Sequence, residues 1–192
     1  MSETLLGRVV RIQVQRSILA VKGVGYDPGP LLQVEEAAVG PLGITGLHDG
    51  AHVMNVHHAA HPSGRGGGNR TLSIGFTGHY SLMAERFGEV PLGVGGENLI
   101  VEHPGRLYRS DLEGTVVMLG AGGEVAVGGA RVASPCLEFT SWLLRRDLVT
   151  DRSEVEDEMA FLGEGMRGFI LDTGGLERPL PVRVGDRVVV RR

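Results

Sequence analysis

The chain has 192 residues, 42% hydrophobic and 22% charged, the balance of an ordinary soluble globular protein with length enough for one core, so a single domain over 1–192 is expected. A formal charge of −4 argues against a surface built to grip nucleic acid, and the lone cysteine excludes an internal disulfide framework and a multi-cysteine zinc site. The first residues carry no apolar run behind a basic head, and no run approaches the roughly 18 apolar residues of a membrane helix, so a cytoplasmic protein with neither membrane nor nucleic-acid partner is expected.

Thirty-one glycines, as pairs and singles, cut the chain into short segments, which points to a β-rich fold. Valine- and isoleucine-rich or alternating runs predict strands at 5–14, 17–21, 31–39, 70–74, 98–102 and 115–119. Between them, 77–88 spaces Tyr80, Met83, Ala84 and Phe87 for one helical face, with Thr77 as N-cap and Gly88 as stop. Residues 124–134 read as a hairpin turned by Gly128-Gly129. A helix over 137–146 ends in two arginines. Another over 153–166 opens with a Ser153/Glu156 capping box and buries Val155, Met159, Leu162 and Met166. Strands at 168–172 and 186–192 close the chain. The class is mainly β with a few helices (α+β).

Chemistry-bearing residues gather in four places. Five histidines, His48, His52, His57, His58 and His61, suit a metal-binding loop or a polar one; their spacing matches no structural zinc site. The stretch 63–70, SGRGGGNR, reads either as an anion nest, its glycine N–H groups flanked by Arg65 and Arg70, or as a glycine tip with solvated arginines. Glu97 and Asn98 follow Gly95-Gly96, placed either to cap a turn or to hydrogen bond a polar heterocycle. Cys136, after Pro135 and ahead of a helix, is a small buried hydrophobe or a reactive thiol.

Several of these segments, taken in order, resemble the MOSC domain, the module named after the C-terminal part of molybdenum-cofactor sulfurases. GRVVRI (7–12), VEEAAVGPLGITGLHDGAH (34–52), RGGGNRTLSIGFTGHYSLMAERFG (65–88), GGENLIVE (95–102), SPC (134–136) and the 166–190 ending cover nearly the whole chain. GENL and P-C match family signatures directly. The resemblance implies a closed β-barrel and a stand-alone protein binding molybdenum cofactor through its molybdopterin. Cys136 would be the catalytic residue, as molybdenum ligand or sulfur carrier. It implies cofactor-binding roles for His52, Arg65, Gly66, Gly67, Asn69, Arg70, Glu97, Asn98 and Arg131, and either sulfur transfer or reduction of N-hydroxylated compounds. The chain has no room for a pyridoxal-phosphate sulfurase domain. Sulfur would come from a separate donor, a cysteine desulfurase, and reduction would need an electron-donor protein.

The chain departs from the family in three places. Asp49-Gly50 inverts the usual order, with Ala51 before His52. Arg65 to Asn69 replaces a His-Gly-Gly-x-Asp run. Ala133 stands where an arginine usually precedes the cysteine. Arg65, Arg70 or Arg131 is expected to supply that charge. Two other readings stay open: a non-catalytic module that binds and delivers the cofactor, and a histidine-loop metal protein.

Overall fold

Fourteen strands and three α-helices make up the computed structural model, which describes residues 2–63 and 71–192. In chain order they are β1 (Glu3–Gln15), β2 (Ala20–Val21), β3 (Gly25–Tyr26), β4 (Leu31–Val34), β5 (Glu36–Gly40), β6 (Gly43–His48), β7 (Ala51–Met54), β8 (Leu72–Phe76), α1 (Thr77–Phe87), β9 (Leu99–Val101), β10 (Thr115–Gly120), β11 (Gly123–Val132), α2 (Leu137–Leu143), α3 (Glu156–Leu162), β12 (Phe169–Asp172), β13 (Leu180–Arg183) and β14 (Arg187–Arg191).

Seven strands close a barrel in the order β14, β10, β11, β12, β8, β9, β1, with β1 pairing back to β14. All neighbours are antiparallel except β8 and β9, which run parallel and are joined through α1, as a parallel pair requires a crossover. The fold is therefore mainly β around a closed barrel, as the sequence predicts. Residues spaced by two, such as Ile74 and Phe76, Val116 and Met118, or Val188 and Val190, fill the main buried cluster. That is the period-two burial of strands with one face inward.

A four-stranded sheet, β13-β5-β6-β7, lies beside the barrel. The predicted strand 31–39 is two strands: Glu35 interrupts the run, β4 pairs with β1, and β5 joins the second sheet. The β6–β7 hairpin turns on Asp49-Gly50, both with positive φ (49° and 76°), the requirement of a type I′ turn that Asp-Gly satisfies.

The predicted hairpin at 124–134 is a single strand, β11. The true turn lies at its start, between Gly120 and Gly123 of β10 and β11. Gly128-Gly129 instead bends the strand. Up to Val127 it pairs with β10, and from Gly128 it pairs with β12, with a register shift before Arg131 and Gly129 at φ 63°. A glycine bulge lets one strand serve two neighbours around a tightly curved wall.

The helices cover one flank. Tyr80 and Met83 of α1, Phe139 and Leu143 of α2, and Leu162 of α3 form a second buried cluster with Ile100, Val94 and Met166. Thr77 opens α1 but does not cap it; its hydroxyl donates to the His103 carbonyl at 3.0 Å. The capping box predicted at Ser153 is absent too: α3 has Val155 at its N-cap with no side-chain cap, and the cap belongs to the turn before it. Asp151, not Ser153, supplies the side chain, accepting from Ser153 N–H at 2.9 Å ahead of a single 3₁₀ turn. Among the described residues no helix is long and apolar enough to cross a membrane.

Candidate functional site around Cys136

β11 ends at Val132, and the next residue still follows the barrel wall: Ala133 N–H donates to the Gly168 carbonyl at 3.1 Å. Pro135 then cannot continue a ladder, and the chain turns into α2 with Cys136 as its extended N-cap residue. The Cys136 carbonyl accepts from Thr140 N–H at 3.0 Å and Thr140 Oγ1 at 2.9 Å. The thiol is a free cysteine, partly exposed, and its side chain rests on the helical cluster.

Beside it stands Arg167, from the turn between α3 and β12. Its Nη1 lies 3.7 Å from Cys136 Sγ and 3.4 Å from the Ser134 carbonyl, and its Nη2 donates to the Gly95 carbonyl at 2.9 Å. The guanidinium carbon sits 4.2 Å from the centre of the Phe139 ring, a cation–π placement. Arg167 Nε is buried with no hydrogen-bond partner. Pairing of Val132 with Phe169 sets Arg167 two residues before the β12 entry, level with the Ser134-Pro135-Cys136 exit of β11. Among the described residues, Arg167 brings positive charge to the cysteine.

Tyr26 of β3 closes this side. Its ring meets Phe139 edge-on at 5.0 Å, its hydroxyl donates to the Val94 carbonyl, and Trp142 stacks on Phe139 beyond. Burial pushes the Tyr26 phenol well above its usual range, opposed by Arg167 and reinforced by Glu97 and Cys136.

Behind the 93–97 turn lies Glu97, only 2% exposed. Its Oε2 accepts from Tyr80 Oη at 2.6 Å, and Tyr80 Oη accepts from Gly95 N–H at 3.1 Å. Burial raises the Glu97 carboxyl, which Tyr80 and the Arg167 charge pull back down; burial and the neighbouring Glu97 push the Tyr80 phenol well above its ordinary value. Three glycines leave room for this carboxylate. A Cβ on Gly75 would stand 2.9 Å from its Oε1, one on Gly95 2.8 Å from Oε2, and one on Gly168 3.0 Å from Cγ. Two glutamines of β1 brace the turn: Gln13 Nε2 donates to the Gly93 and Glu97 carbonyls, Gln15 Nε2 to that of Gly96.

Asn98, 1% exposed, also points inward. Its Nδ2 donates to the Gln13 carbonyl and Asn55 Oδ1, and its Oδ1 accepts from Ser73 N–H and Oγ. Glu97 and Asn98 therefore direct their polar atoms into the protein. His52 is exposed on β7 opposite Leu47, and Arg131 is exposed on β11 opposite Ile170. Arg65, Gly66, Gly67, Asn69 and Arg70 lie outside the described residues. In the remaining histidine segment, His58 Nδ1 accepts from Ala60 N–H, and His61 Nδ1 faces Ser63 Oγ at 2.8 Å. Among the described residues no three His, Cys, Asp or Glu side chains gather closely enough to hold a metal ion. A surface hollow lined by Glu89, Trp142 and Arg145 to Asp147 opens at the opposite end of α2 from Cys136.

Arg167, Tyr80 and Tyr26 escape the sequence reading as site residues. Tyr80 was visible as part of an apolar helical face. Arg167 carries one sequence signal, its place just ahead of a strand; its partner is set by the adjacency of β11 and β12.

No family model matches this chain, and no curated protein matches it. Solved structures do. The YuaD protein from Bacillus subtilis is 18% identical with a TM-score of 0.53, the match covering 99% of this chain and 96% of that one. A hypothetical protein is 16% identical with a TM-score of 0.53, over 96% of this chain and 69% of that one. YiiM from Geobacillus stearothermophilus is 13% identical over 100% and 76%, with a TM-score of 0.46, too low to carry an argument. The first two are similar in fold.

Proposed function

We propose that this chain is a single-domain, MOSC-like protein that binds molybdenum cofactor and presents Cys136 to it, as molybdenum ligand or as sulfur carrier. The observation that carries the reading is the approach of Arg167 to Cys136, 3.7 Å from Nη1 to Sγ. A partly exposed thiol beside a fixed guanidinium is the setting in which a cysteine serves as nucleophile or metal ligand. The order of GENL, P-C and the flanking motifs along the sequence supports the same reading.

The donor chemistry fits the group. A thiolate is a soft ligand suited to molybdenum or to carrying sulfane sulfur. Arg167 holds positive charge at the sulfur and keeps one unused N–H, Nε, in the same corner. The phosphate end of molybdopterin would fall to Arg65, Gly66, Gly67, Asn69 and Arg70, with His52 and Arg131 as further polar contacts. Glu97 holds, through Tyr80, the turn that carries Gly95 and would serve the ligand through it, while Asn98 ties the following strand to Ser73, Gln13 and Asn55. What the bound cofactor would supply is two-electron chemistry such as reduction of an N-hydroxylated compound, with electrons from a donor protein. In the sulfur-carrier form, a cysteine desulfurase would supply the sulfur.

The test is purification from a host that makes molybdenum cofactor, followed by molybdenum analysis and fluorescence of the oxidised pterin. Both are expected to accompany the protein; the absence of both overturns the reading.

A further inference from the structure

Between the thiol and the buried carboxylate runs one unbroken series of contacts. Arg167 reaches Cys136 Sγ through Nη1 and the Gly95 carbonyl through Nη2. Gly95 N–H is held by Tyr80 Oη, whose own hydrogen goes to Glu97 Oε2. Gly95 is therefore gripped on both sides, by the guanidinium and by the phenol.

We infer that Tyr80 and Glu97 are positioning residues for the Cys136–Arg167 pair: by fixing the Gly95 backbone they hold the guanidinium at the sulfur. The inference rests on the proposed role of Cys136 with Arg167.

Three observations carry it. A hydroxyl that must both accept from Gly95 and donate to Glu97 has its single hydrogen committed, so its lone pairs face the Gly95 N–H in one orientation. The 2.6 Å contact to a carboxylate is of the short, charge-assisted kind and makes the phenol oxygen a better acceptor. Finally, Glu97 is 2% exposed and its Oε1 has no hydrogen-bond partner. A half-satisfied buried carboxylate is a costly way to hold a turn that Gln13 and Gln15 already brace. What it adds is an anchored acceptor for Tyr80, with the Arg167 charge acting on it across Gly95.

A merely structural Tyr80–Glu97 pair and a positioning pair differ in how their variants combine. Because Cys136 is the only cysteine, alkylation of the full chain by iodoacetamide at one neutral pH reads this thiol alone. Tyr80→Phe is expected to slow it roughly fivefold, and the double variant Tyr80→Phe with Arg167→Gln to react no more slowly than Arg167→Gln alone. Glu97→Gln keeps an acceptor for Tyr80 without the charge and is expected to recover part of the rate that Glu97→Ala loses. A wild-type rate in Tyr80→Phe, a double variant slowed by the full product of both factors, or an Arg167→Gln variant that reacts like wild type overturns the inference. If Tyr80→Phe fails to fold, equal rates in Glu97→Gln and Glu97→Ala overturn it. A purified protein free of molybdenum and pterin would instead remove the cofactor reading and leave this rate comparison standing.

Discussion

Arg167 and Cys136 meet across two antiparallel barrel strands, the arginine just before β12 and the cysteine just after β11, with Nη1 3.7 Å from Sγ. Phe139 lies under the guanidinium, and the Gly95 and Ser134 carbonyls fix its two ends. A forked, planar cation held on three sides cannot be replaced by a flexible ammonium without loss of placement. Arg167→Gln is expected to slow alkylation of Cys136 about tenfold, the equivalent of ~1.4 kcal/mol, and Arg167→Lys to recover part of that rate. Equal rates in all three proteins would show that the contact does nothing for the sulfur.

The space for Glu97 depends on glycine at three points, and of these Gly168 is also pressed against backbone. It has φ 78°, and a Cβ there would lie 2.3 Å from the Ile74 carbonyl oxygen and 3.0 Å from Glu97 Cγ. Backbone on one side cannot yield, so Gly168→Ala is expected to cost roughly 3 kcal/mol or more. Gly175 has open space around it, and Gly175→Ala is expected to stay within about 1 kcal/mol of wild type. Denaturant unfolding of the two variants checks both values.

His79 gives the fold an acid-side sensitivity. It is fully buried, its ring edge-on to Phe76 and Phe169, with Nε2 accepting from Leu107 N–H at 3.0 Å. Burial, aided by the Arg106 charge, lowers it from 6.5 to about 4. Between those values the unfolded chain binds the proton and the folded chain refuses it. The contribution is therefore complete above about pH 6.5 and is lost as pH falls toward 4, an amount of about 3 kcal/mol. Glu97, raised by burial, gives the opposite slope, so the comparison must be with His79→Gln, which keeps an acceptor for Leu107. Stability measured by urea from pH 7 to 4 is expected to fall more steeply in wild type than in that variant; parallel curves would contradict this.

Much of the barrel was legible because its strands carry their own pattern. β1, β10 and β14 are valine- and isoleucine-rich runs, and β12 a short apolar one, whose alternate residues fill the core. Periodicity cannot say which strand a glycine pair serves. Gly128-Gly129 satisfies the local rules of a hairpin, and only pairing with β10 and then β12 makes it a bulge. Asp49-Gly50 is the converse, a hairpin turn whose flanking strands, β6 and β7, are too short and too exposed to carry a clear alternating pattern. For the site, the cysteine stood out as the only one of its kind. Arg167 was hidden because its relation to Cys136 is made by strand adjacency over 31 residues of chain. Glu97 and Asn98 drew attention as polar residues at a turn, but burial, which depends on the α1 and β8 packing above them, decides where their atoms point.

The central claim is that Cys136, with Arg167 beside it, holds molybdenum cofactor. Its most direct test is the molybdenum-to-protein ratio, with pterin fluorescence alongside, in wild type, Cys136→Ser and Arg167→Gln purified in parallel from a cofactor-producing host. The account predicts stoichiometric molybdenum in wild type and a marked loss in both variants, with the far-ultraviolet circular dichroism of all three unchanged. Wild type without molybdenum, or variants that retain it in full, would contradict it.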